Sequence, residues 1–255
     1  MTLRNLAETL SHRVVVRRRL PDPFPRLPFY ASSEGGLRYL RPSLRNADPM
    51  LFRTVLRCVR PGSIVWDVGA NVGLFAVAAA GLSGESGQVI AVEPDVWLVS
   101  LLRRTAAGTG RMAPIEILPI AVSDRNGLAT FNIAKRSRST NHLEGFGSTQ
   151  TGGIRSNVTV PTMTLDSILD LRPAPDFLKI DVEGAELEVL RGAKRLLGIG
   201  PTMLIEVGSE HSGEVAELLG PYGYRFFDAE DATFSECELP PYSTLASTSL
   251  QGFGR

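Results

Sequence analysis

Short apolar runs alternate with segments of helical period through most of this chain. Apolar runs that end at a glycine, a proline or an acid predict buried strands, and apolar residues spaced three or four apart predict helices. Strands that alternate with helices favour a mostly parallel sheet with helices on both faces. The predicted strands lie at 64–67, 89–92, 115–122, 129–133, 158–160, 176–181, 203–207 and 224–227, and the predicted helices at 49–59, 74–80, 96–107, 164–169, 185–194 and 215–219.

Polar segments divide the chain into a main domain and its flanks. Residues 1–47 predict an irregular or helical N-terminal extension, because much of this segment is rich in proline and arginine. Residues 48–230 carry the alternating pattern of a single α/β domain, and the weak signals at 231–255 predict a C-terminal tail. Within the domain, residues 134–157 are polar and have no apolar period, which predicts a long lid-like or disordered loop.

The most informative stretch joins the first predicted strand to its helix and reads Asp67-Val68-Gly69-Ala70-Asn71-Val72-Gly73. Its glycines let the backbone lie close to a ligand, and the helix that follows offers unpaired N–H groups. The second strand ends in Glu93, and an acid at this place suits the two hydroxyls of a ribose. The pattern therefore predicts a nucleoside pocket at the carboxyl edge of the sheet. A glycine turn without a ligand is the alternative, and the spacing to Glu93 argues against it.

The residues of this turn distinguish between nucleotides. In the G-x-G-x-x-G sites of dinucleotide enzymes, the second glycine lets a pyrophosphate approach the helix N-terminus. Asn71 stands at that position here, and Asp67 would repel phosphate and attract an ammonium group. S-adenosylmethionine fits these features, with Asp67 near its methionine part and Glu93 on its ribose. The second hypothesis is an NAD-dependent oxidoreductase, and the third is a non-catalytic module that binds an adenosyl ligand.

Acidic residues follow five of the predicted strands, and the carboxyl ends of parallel strands meet at one edge of a sheet. Carboxylates at such an edge can orient an acceptor group and take a proton from it. We therefore predict Asp181 as the leading catalytic residue, with Glu183 and Glu206 as the next candidates. A helix N-terminus stabilises acids without any functional role, which is the alternative for Glu183 and the favoured interpretation of Glu186. The five strand-end acids are Asp67, Glu93, Asp124, Asp181 and Glu206.

Other polar side chains near this edge support several interpretations. Lys179 lies inside an apolar strand, so it should pair with an acid or lie at the sheet edge. His142 and His211 are candidates for proton transfer, although a surface position is the favoured interpretation of each. Asp181 with Glu206 could bind Mg²⁺, but the sequence has no dense Asp/Asn cluster and predicts no metal site.

Several sequence blocks resemble the FkbM family of S-adenosylmethionine-dependent methyltransferases. The resemblance covers roughly residues 50–228. It implies the class I methyltransferase fold, with a seven-stranded sheet whose final hairpin is reversed. It also implies O-methylation of hydroxyls on sugars or polyketide-type natural products. The blocks are 67–73, Ala91-Val92-Glu93-Pro94, Ala121-Val122-Ser123-Asp124, Ile205-Glu206-Val207 and, most specific of all, Leu178-Lys179-Ile180-Asp181-Val182-Glu183-Gly184-Ala185-Glu186.

Pattern and resemblance together give one set of cofactor residues. The acceptor is expected to be a small molecule or glycan with a free hydroxyl, read by the 134–157 loop and the segment before the first helix. The predicted S-adenosylmethionine-binding residues are Asp67, Gly69, Ala70, Asn71, Gly73, Glu93, Pro94, Ser123, Asp124 and Asp181.

Composition narrows the possible partners. The 27 Lys and Arg residues equal the 27 Asp and Glu residues, so net charge gives no reason to expect nucleic acid. RNA methylation is a weaker variant, which the twelve Arg among residues 1–60 permit. The two cysteines, Cys58 and Cys237, predict reduced thiols in a cytoplasmic protein. We expect neither a membrane-spanning segment nor a signal peptide, because no apolar run is long enough.

Overall fold

The computed structural model describes residues 14–147 and 151–249. In chain order the strands are β1 (Val15–Arg19), β2 (Pro28–Ser32), β3 (Ile64–Val68), β4 (Gln88–Val92), β5 (Ile115–Leu118), β6 (Ala121–Val122), β7 (Gly127–Ala134), β8 (His142–Leu143), β9 (Ile154–Met163), β10 (Phe177–Ile180), β11 (Thr202–Glu206), β12 (Arg225–Asp228), β13 (Glu236–Cys237) and β14 (Ser243–Ser247). The helices are α1 (Pro49–Cys58), α2 (Leu74–Ser83), α3 (Val96–Ala106), α4 (Leu165–Leu169), α5 (Glu186–Arg191), α6 (Lys194–Ile199) and α7 (Ser212–Leu219).

The main sheet has the strand order β5-β4-β3-β10-β11-β14-β12-β13. The first five strands in this order are parallel, and β14 runs antiparallel to both of its neighbours. The strand order reverses between β3 and β10, which is where ligands bind on open α/β sheets. The predicted α/β fold class is confirmed. The main sheet is mostly parallel and Rossmann-like, and its final hairpin is reversed. The short β13 adds an eighth strand to the expected seven.

Helices cover both faces of this sheet, as the alternating pattern predicts. Buried side chains of α1, α2 and α3 pack on one face, and those of α4 to α7 pack on the other. Helix α1 begins at Pro49 because the Asp48 side chain accepts a hydrogen bond from the Leu51 N–H and caps the helix. These two layers hold the carboxyl ends of β3, β4, β10 and β11 in fixed positions at one edge.

The chain after residue 230 is not a simple tail, which corrects the sequence prediction. Strand β14 lies inside the sheet, and all five of its residues are buried. It was missed because three of them are Ser or Thr, which weaken an apolar pattern. Their hydroxyls find partners in the fold: Ser243 bonds to Glu230, and Ser247 donates to the Ser249 carbonyl at 2.9 Å.

A second sheet, in the order β6-β9-β7-β8, extends into the segment that the sequence assigns to a loop. Strand β8 and the first half of β9 lie within 134–157. The first six residues of β9 are exposed, so this half of the strand has no apolar alternation to detect. Residues 148–150 of the predicted lid lie outside the described residues, and its other described residues connect these strands near the carboxyl edge of the main sheet.

The described part of the N-terminal extension is a β-hairpin of β1 and β2 followed by two short 3-10 turns, Ser33–Gly35 and Leu37–Leu40. The Tyr30 N–H donates to the Thr105 hydroxyl of α3 at 3.1 Å, which fixes the hairpin to the domain. No helix in the described ranges has the length and apolar character that crossing a membrane requires.

Candidate active site

The turn between β3 and α2 lies tightly against the neighbouring strand ends. Gly69 adopts a φ of 78°, and a Cβ atom at this position would lie 1.8 Å from the Asp181 carbonyl oxygen. The N–H groups of Gly69 and Ala70 both donate to the Val92 carbonyl at 3.0 Å. Glycine is therefore required here by contact as well as by backbone conformation, and the turn is pinned to both neighbouring strands.

Asn71 is the centre of this turn and has a left-handed φ of 52°. Its N–H donates to a Glu93 oxygen at 2.8 Å, and its side-chain amide donates to the Gly35 carbonyl at 3.1 Å. The buried Oδ1 atom of Asn71 accepts no hydrogen bond from any residue that the structure describes. A buried acceptor without a partner is costly, so this atom suits a ligand that donates a hydrogen bond.

Glu93 is 5% exposed at the end of β4. One of its oxygens accepts from Asn71, and the other accepts from the Asp95 N–H at 2.8 Å. Burial raises the pKa of Glu93 to about 8, although both backbone hydrogen bonds lower it. The side chain is held rigidly with its remaining lone pairs available to ligand hydroxyls.

Two pockets meet at the glycine turn. They share Gly69, Asn71 and Asp181, and their volumes are about 590 and 580 Å³. The first pocket has apolar walls beside Glu93, and the second has the charged groups Arg38, Asp48 and Glu206. The apolar walls of the first are Val92, Ile120, Val122, Phe131 and Leu143; the second is also lined by Tyr39, Met50, Leu51, Leu74, Phe75 and Leu204.

Lys179 links three groups beneath the junction of the pockets. Its Nζ atom lies 3.0 Å from an Asp181 oxygen and 3.5 Å from an Asp67 oxygen, and it donates to the Gly69 carbonyl at 3.4 Å. Burial alone lowers the pKa of Lys179, but the two carboxylates raise it above its ordinary value. The pairing predicted for this lysine is confirmed, and its charge holds the turn and the end of β10 together.

Asp67 lies below the site rather than in it. Its side chain is fully buried, and it lines neither pocket. Burial raises its pKa, while Lys179 opposes that shift. Side chains alternate across a strand, and this one points to the interior. The expected contact between Asp67 and the methionine part of a ligand stays a prediction.

The three predicted catalytic acids surround the pocket junction. Asp181 is a quarter exposed and lines both pockets, Glu183 lines the first, and Glu206 lines the second. Burial, followed by repulsion from Asp181, raises the pKa of Glu183 to about 8 and that of Glu206 to about 7. Glu186 accepts from the N–H groups of Val182 and Gly184, so its structural interpretation is confirmed.

Some predicted residues lie elsewhere. Ser123 and Asp124 line neither pocket, and the Asp124 side chain is 41% exposed beside Arg125. They follow β6, which belongs to the second sheet, so they are not at the main sheet's edge. Gly73 also lies outside both pockets; a Cβ on it would meet Leu102 at 2.3 Å. The predicted cofactor residues that line at least one pocket are Gly69, Ala70, Asn71, Glu93, Pro94 and Asp181.

Neither His142 nor His211 lines either pocket, and the surface position favoured for His142 is corrected to a buried one. His142 is buried in β8, with its ring nitrogens near the Asn132 amide at 3.2 Å and the Thr140 carbonyl at 3.0 Å. His211 is 42% exposed near Glu214. In the described residues, no group of three or more His, Cys, Asp or Glu side chains is placed to hold a metal ion.

An arginine bridge over the first pocket was missed by the sequence pattern. Arg138, in the β7–β8 connection, forms ion pairs with Glu34 and, at 2.6 Å, with Asp95. Asn141 donates to the same Asp95 at 2.8 Å, and the Arg138 guanidinium lies over the Trp97 ring. The connection is thereby tied across the pocket to the N-terminal extension and to α3. The polar composition of 134–157 gave no signal for these partners, which are distant in sequence.

Tyr242 is a second residue that the sequence did not single out. Its hydroxyl donates to Glu206 at 2.7 Å, while the side chain is 63% exposed. It precedes β14, so its place at the site depends on the pairing of β14 with β11. In the sequence, Tyr242 lies in a segment with a weak apolar pattern, and nothing else marks it as a site residue.

These features fit a nucleoside ligand. Glu93 is held rigidly beside an apolar cavity, the turn presents its backbone without side-chain obstruction, and Asn71 keeps an unpartnered acceptor at the junction. An α/β sheet with such an arrangement at its switch point defines an enzyme of the nucleoside-binding, Rossmann-like class.

The chain belongs to the FkbM family of methyltransferases. The family model of the methyltransferase FkbM domain matches residues 67–226, which confirms the resemblance carried by the sequence blocks. S-adenosylmethionine is the cofactor of this methyltransferase. The match sets aside the NAD-dependent oxidoreductase.

Two proteins with similar sequences differ in kind: one is a methyltransferase and the other is a much longer synthetase. The chain is 27% identical over 177 residues to the hexuronic acid methyltransferase AglP of Haloferax volcanii, a match that covers 66% of each protein. It is 28% identical over 216 residues to the AMB antimetabolite synthetase AmbE of Pseudomonas aeruginosa, a match that covers 68% of this chain and 10% of the synthetase. The chain therefore spans less than two thirds of the length of either relative.

Solved structures with a similar fold include a methyltransferase FkbM from Methylobacillus flagellatus, at 16% identity and a TM-score of 0.44. That match covers 74% of this chain and 48% of the other. Aeropyrum pernix fibrillarin, solved with S-adenosyl-L-methionine, matches at 13% identity and a TM-score of 0.47, covering 92% of this chain and 83% of the other.

Proposed function

We propose that this protein transfers a methyl group to a hydroxyl of a sugar or of a small natural product. The observation that carries the proposal is the position of Asp181, whose carboxylate lines both pockets beside the glycine turn. A carboxylate at this junction can contact a ligand in either pocket. A group that orients an acceptor hydroxyl and takes its proton must lie in such a position.

The residues of the first pocket suit the adenosine part of the cofactor. Glu93 would accept hydrogen bonds from the ribose hydroxyls, and the apolar walls that include Val122 and Phe131 would enclose the base. Asn71 and the backbone of the turn would hold the methionine part. S-adenosylmethionine, when bound, supplies a methyl group on a positively charged sulfur.

Asp181 orients the acceptor hydroxyl and accepts its proton in this proposal. Lys179, 3.0 Å away, fixes the carboxylate, so little reorganisation is needed when an acceptor arrives. Glu206 is the second base candidate. With a pKa of about 7, it exchanges a proton near neutral pH, and Tyr242 keeps it oriented. Glu183 faces the first pocket and completes the acidic rim.

A sugar acceptor is supported by the name of the Haloferax relative, which is a hexuronic acid methyltransferase. The second pocket offers groups that recognise a polyhydroxylated ligand: Asp48 and Glu206 accept from hydroxyls, and Arg38 donates to oxygen atoms. Alignment of one hydroxyl among several requires such fixed polar contacts.

The test is a methyl-transfer assay with labelled donor and a panel of sugars, uronic acids and hydroxylated polyketides. We expect labelled methyl ether products from at least one sugar and a large loss of turnover in Asp181→Asn. Calorimetry with S-adenosylhomocysteine gives an independent measure of cofactor binding. Tight binding without transfer to any hydroxyl would support the non-catalytic module instead, and products methylated on nitrogen or carbon would contradict O-methylation.

A further inference from the structure

An open groove on the N-terminal hairpin is separate from both pockets. It has a volume of about 980 Å³ and lies between the hairpin and the segment 42–44. Four of its nine lining residues are arginines, and no acid lines it. The lining consists of Arg17, Arg18, Arg19, Leu20, Pro21, Arg26, Pro42, Ser43 and Leu44.

The residues that the structure describes do not neutralise the positive charge of this groove. Arg17, Arg19 and Arg26 form no ion pair with any residue in the described ranges, whereas most arginines near the active site do. Arg18 donates only to backbone carbonyls, those of Arg41 and Pro42. Guanidinium groups without an acidic partner attract anions, so the groove favours a bound anion.

The groove is built on a fixed support. Arg17 and Arg19 lie on one face of β1 and Arg18 lies on the other, and the hairpin is attached to α3 through the Tyr30–Thr105 hydrogen bond. Arg104 also stacks over the Tyr30 ring, with 4.3 Å between its guanidinium carbon and the ring centroid. The guanidinium groups are therefore carried by a preorganised element rather than by a free strand.

The groove is also connected to the second pocket through one short segment. Arg38 and Tyr39 of the 3-10 turn line the second pocket, and residues 42–44 line the groove. Arg18 ties β1 to this segment by its hydrogen bonds to Arg41 and Pro42. A ligand that extends out of the second pocket past the 3-10 turn would meet the arginines.

We propose that the arginine groove (Arg17, Arg18, Arg19 and Arg26) binds a diphosphate or similar multivalent phosphate ester that the acceptor carries. Guanidinium groups match phosphate oxygens with paired hydrogen bonds, and several such groups lining one groove favour a multivalent phosphate over a single carboxylate. The link to an acceptor depends on the proposed function. The phosphate site itself does not, because it can be measured without donor or acceptor.

The experiment is calorimetric titration of the whole protein with pyrophosphate at low and moderate salt. We expect binding that weakens with salt, and a loss of affinity of at least about tenfold in the Arg17→Glu/Arg19→Glu variant. The matched control is Arg103→Glu/Arg125→Glu, which makes the same change in total charge at exposed positions outside the groove and should keep pyrophosphate affinity within about twofold.

Two further probes identify the source of the phosphate. A uridine diphosphate sugar that competes with pyrophosphate indicates a soluble carrier. Co-sedimentation with phosphatidylcholine vesicles that contain phosphatidic acid, reversed by pyrophosphate, indicates a lipid headgroup. Failure to bind pyrophosphate, or equal loss of affinity in both charge-reversal variants, would overturn the proposal. Thermal melts of both variants exclude unfolding as the cause.

Discussion

The hydroxyl of Tyr242 donates a hydrogen bond to the Glu206 carboxylate at 2.7 Å. This bond stabilises the ionised form of Glu206, whereas burial and the nearby Asp181 raise its pKa to about 7. If ionised Glu206 serves as the base, turnover should rise with pH through a midpoint near 7. Tyr242→Phe removes the bond, so we expect the midpoint of the kcat profile to move to higher pH.

The pH profile has clear controls. Glu206→Gln should abolish the ionisation near pH 7, and Leu239→Ala, at an exposed position of the same segment, should leave the profile unchanged. A midpoint that is identical in wild type and Tyr242→Phe would assign the ionisation to another group.

Asp181→Asn should lower turnover far more than cofactor affinity. The amide keeps the size of the side chain but cannot accept the acceptor's proton, and loss of a general base costs about 100-fold or more in rate. We expect S-adenosylhomocysteine affinity, measured by calorimetry, to change by less than about threefold. Asp124→Asn is a matched control, because this strand-end acid lines neither pocket. Equal rates for both variants would remove Asp181 from the chemistry.

Glu93 should link cofactor binding to pH and stability. Its folded-state pKa of about 8 exceeds its ordinary value of 4.5, so the folded state favours the protonated form. The resulting stability is complete below about pH 4.5 and is lost as pH rises through about 8. Glu93→Gln stays neutral, so its unfolding free energy should lack this loss, a difference on the order of 2–4 kcal/mol in urea titrations.

The same substitution should weaken cofactor binding, because an amide accepts fewer hydrogen bonds than a carboxylate. We expect a loss of S-adenosylhomocysteine affinity of about tenfold or more above pH 8. An unchanged affinity would show that Glu93 supports the turn without touching the ribose.

The Arg138 bridge should affect cofactor retention rather than chemistry. Arg138→Met removes the charge that joins Glu34 and Asp95 across the first pocket. We expect the KM for S-adenosylmethionine to rise about tenfold with a smaller effect on kcat, since the reacting groups lie elsewhere. Arg136→Met, two residues away at an exposed position, is the control. An effect on kcat alone would contradict a closing role for this connection.

Gly69→Ala should prevent assembly of the site. The new methyl group would lie 1.8 Å from the Asp181 carbonyl, and the φ of 78° adds strain. Gly110→Ala isolates the second effect, because Gly110 has a φ of 61° with no atom within 4 Å of an added Cβ. We expect the control to cost about 1–2 kcal/mol and Gly69→Ala clearly more, with loss of S-adenosylhomocysteine binding in thermal-shift assays.

The sequence predicts the sheet edge well but not the direction of every side chain on it. Glu93, Asp181 and Glu206 lie at the same edge because each stands at the carboxyl end of a parallel strand of one sheet, β4, β10 and β11 respectively. Asp67 lies on an equally central strand, yet it points inward, because one residue of register decides which face a side chain occupies. Asp124 follows β6, and nothing in the local sequence shows that β6 leaves the main sheet.

For a related reason, the sequence pattern could not predict contacts between residues that are far apart in the chain. Arg138 meets Glu34 and Asp95 only after three separate segments have packed, and Tyr242 reaches Glu206 only through the pairing of β14. The exposed half of β9 lacks the alternation that marks a strand, because both of its faces meet solvent. The local spacing of apolar residues indicates which residues are buried. It does not indicate which distant segments will pack against one another, and these contacts depend on that packing.

Strand β14 enters the sheet between two strands that leave the ribosome before it. Until residues 243–247 emerge, β11 and β12 each present an open edge to which another nascent chain can attach. The insertion of β14 seals both edges and delivers Tyr242 to Glu206 in the same event. Closure of the two sheet edges and completion of the acidic rim by Tyr242 therefore depend on the same strand.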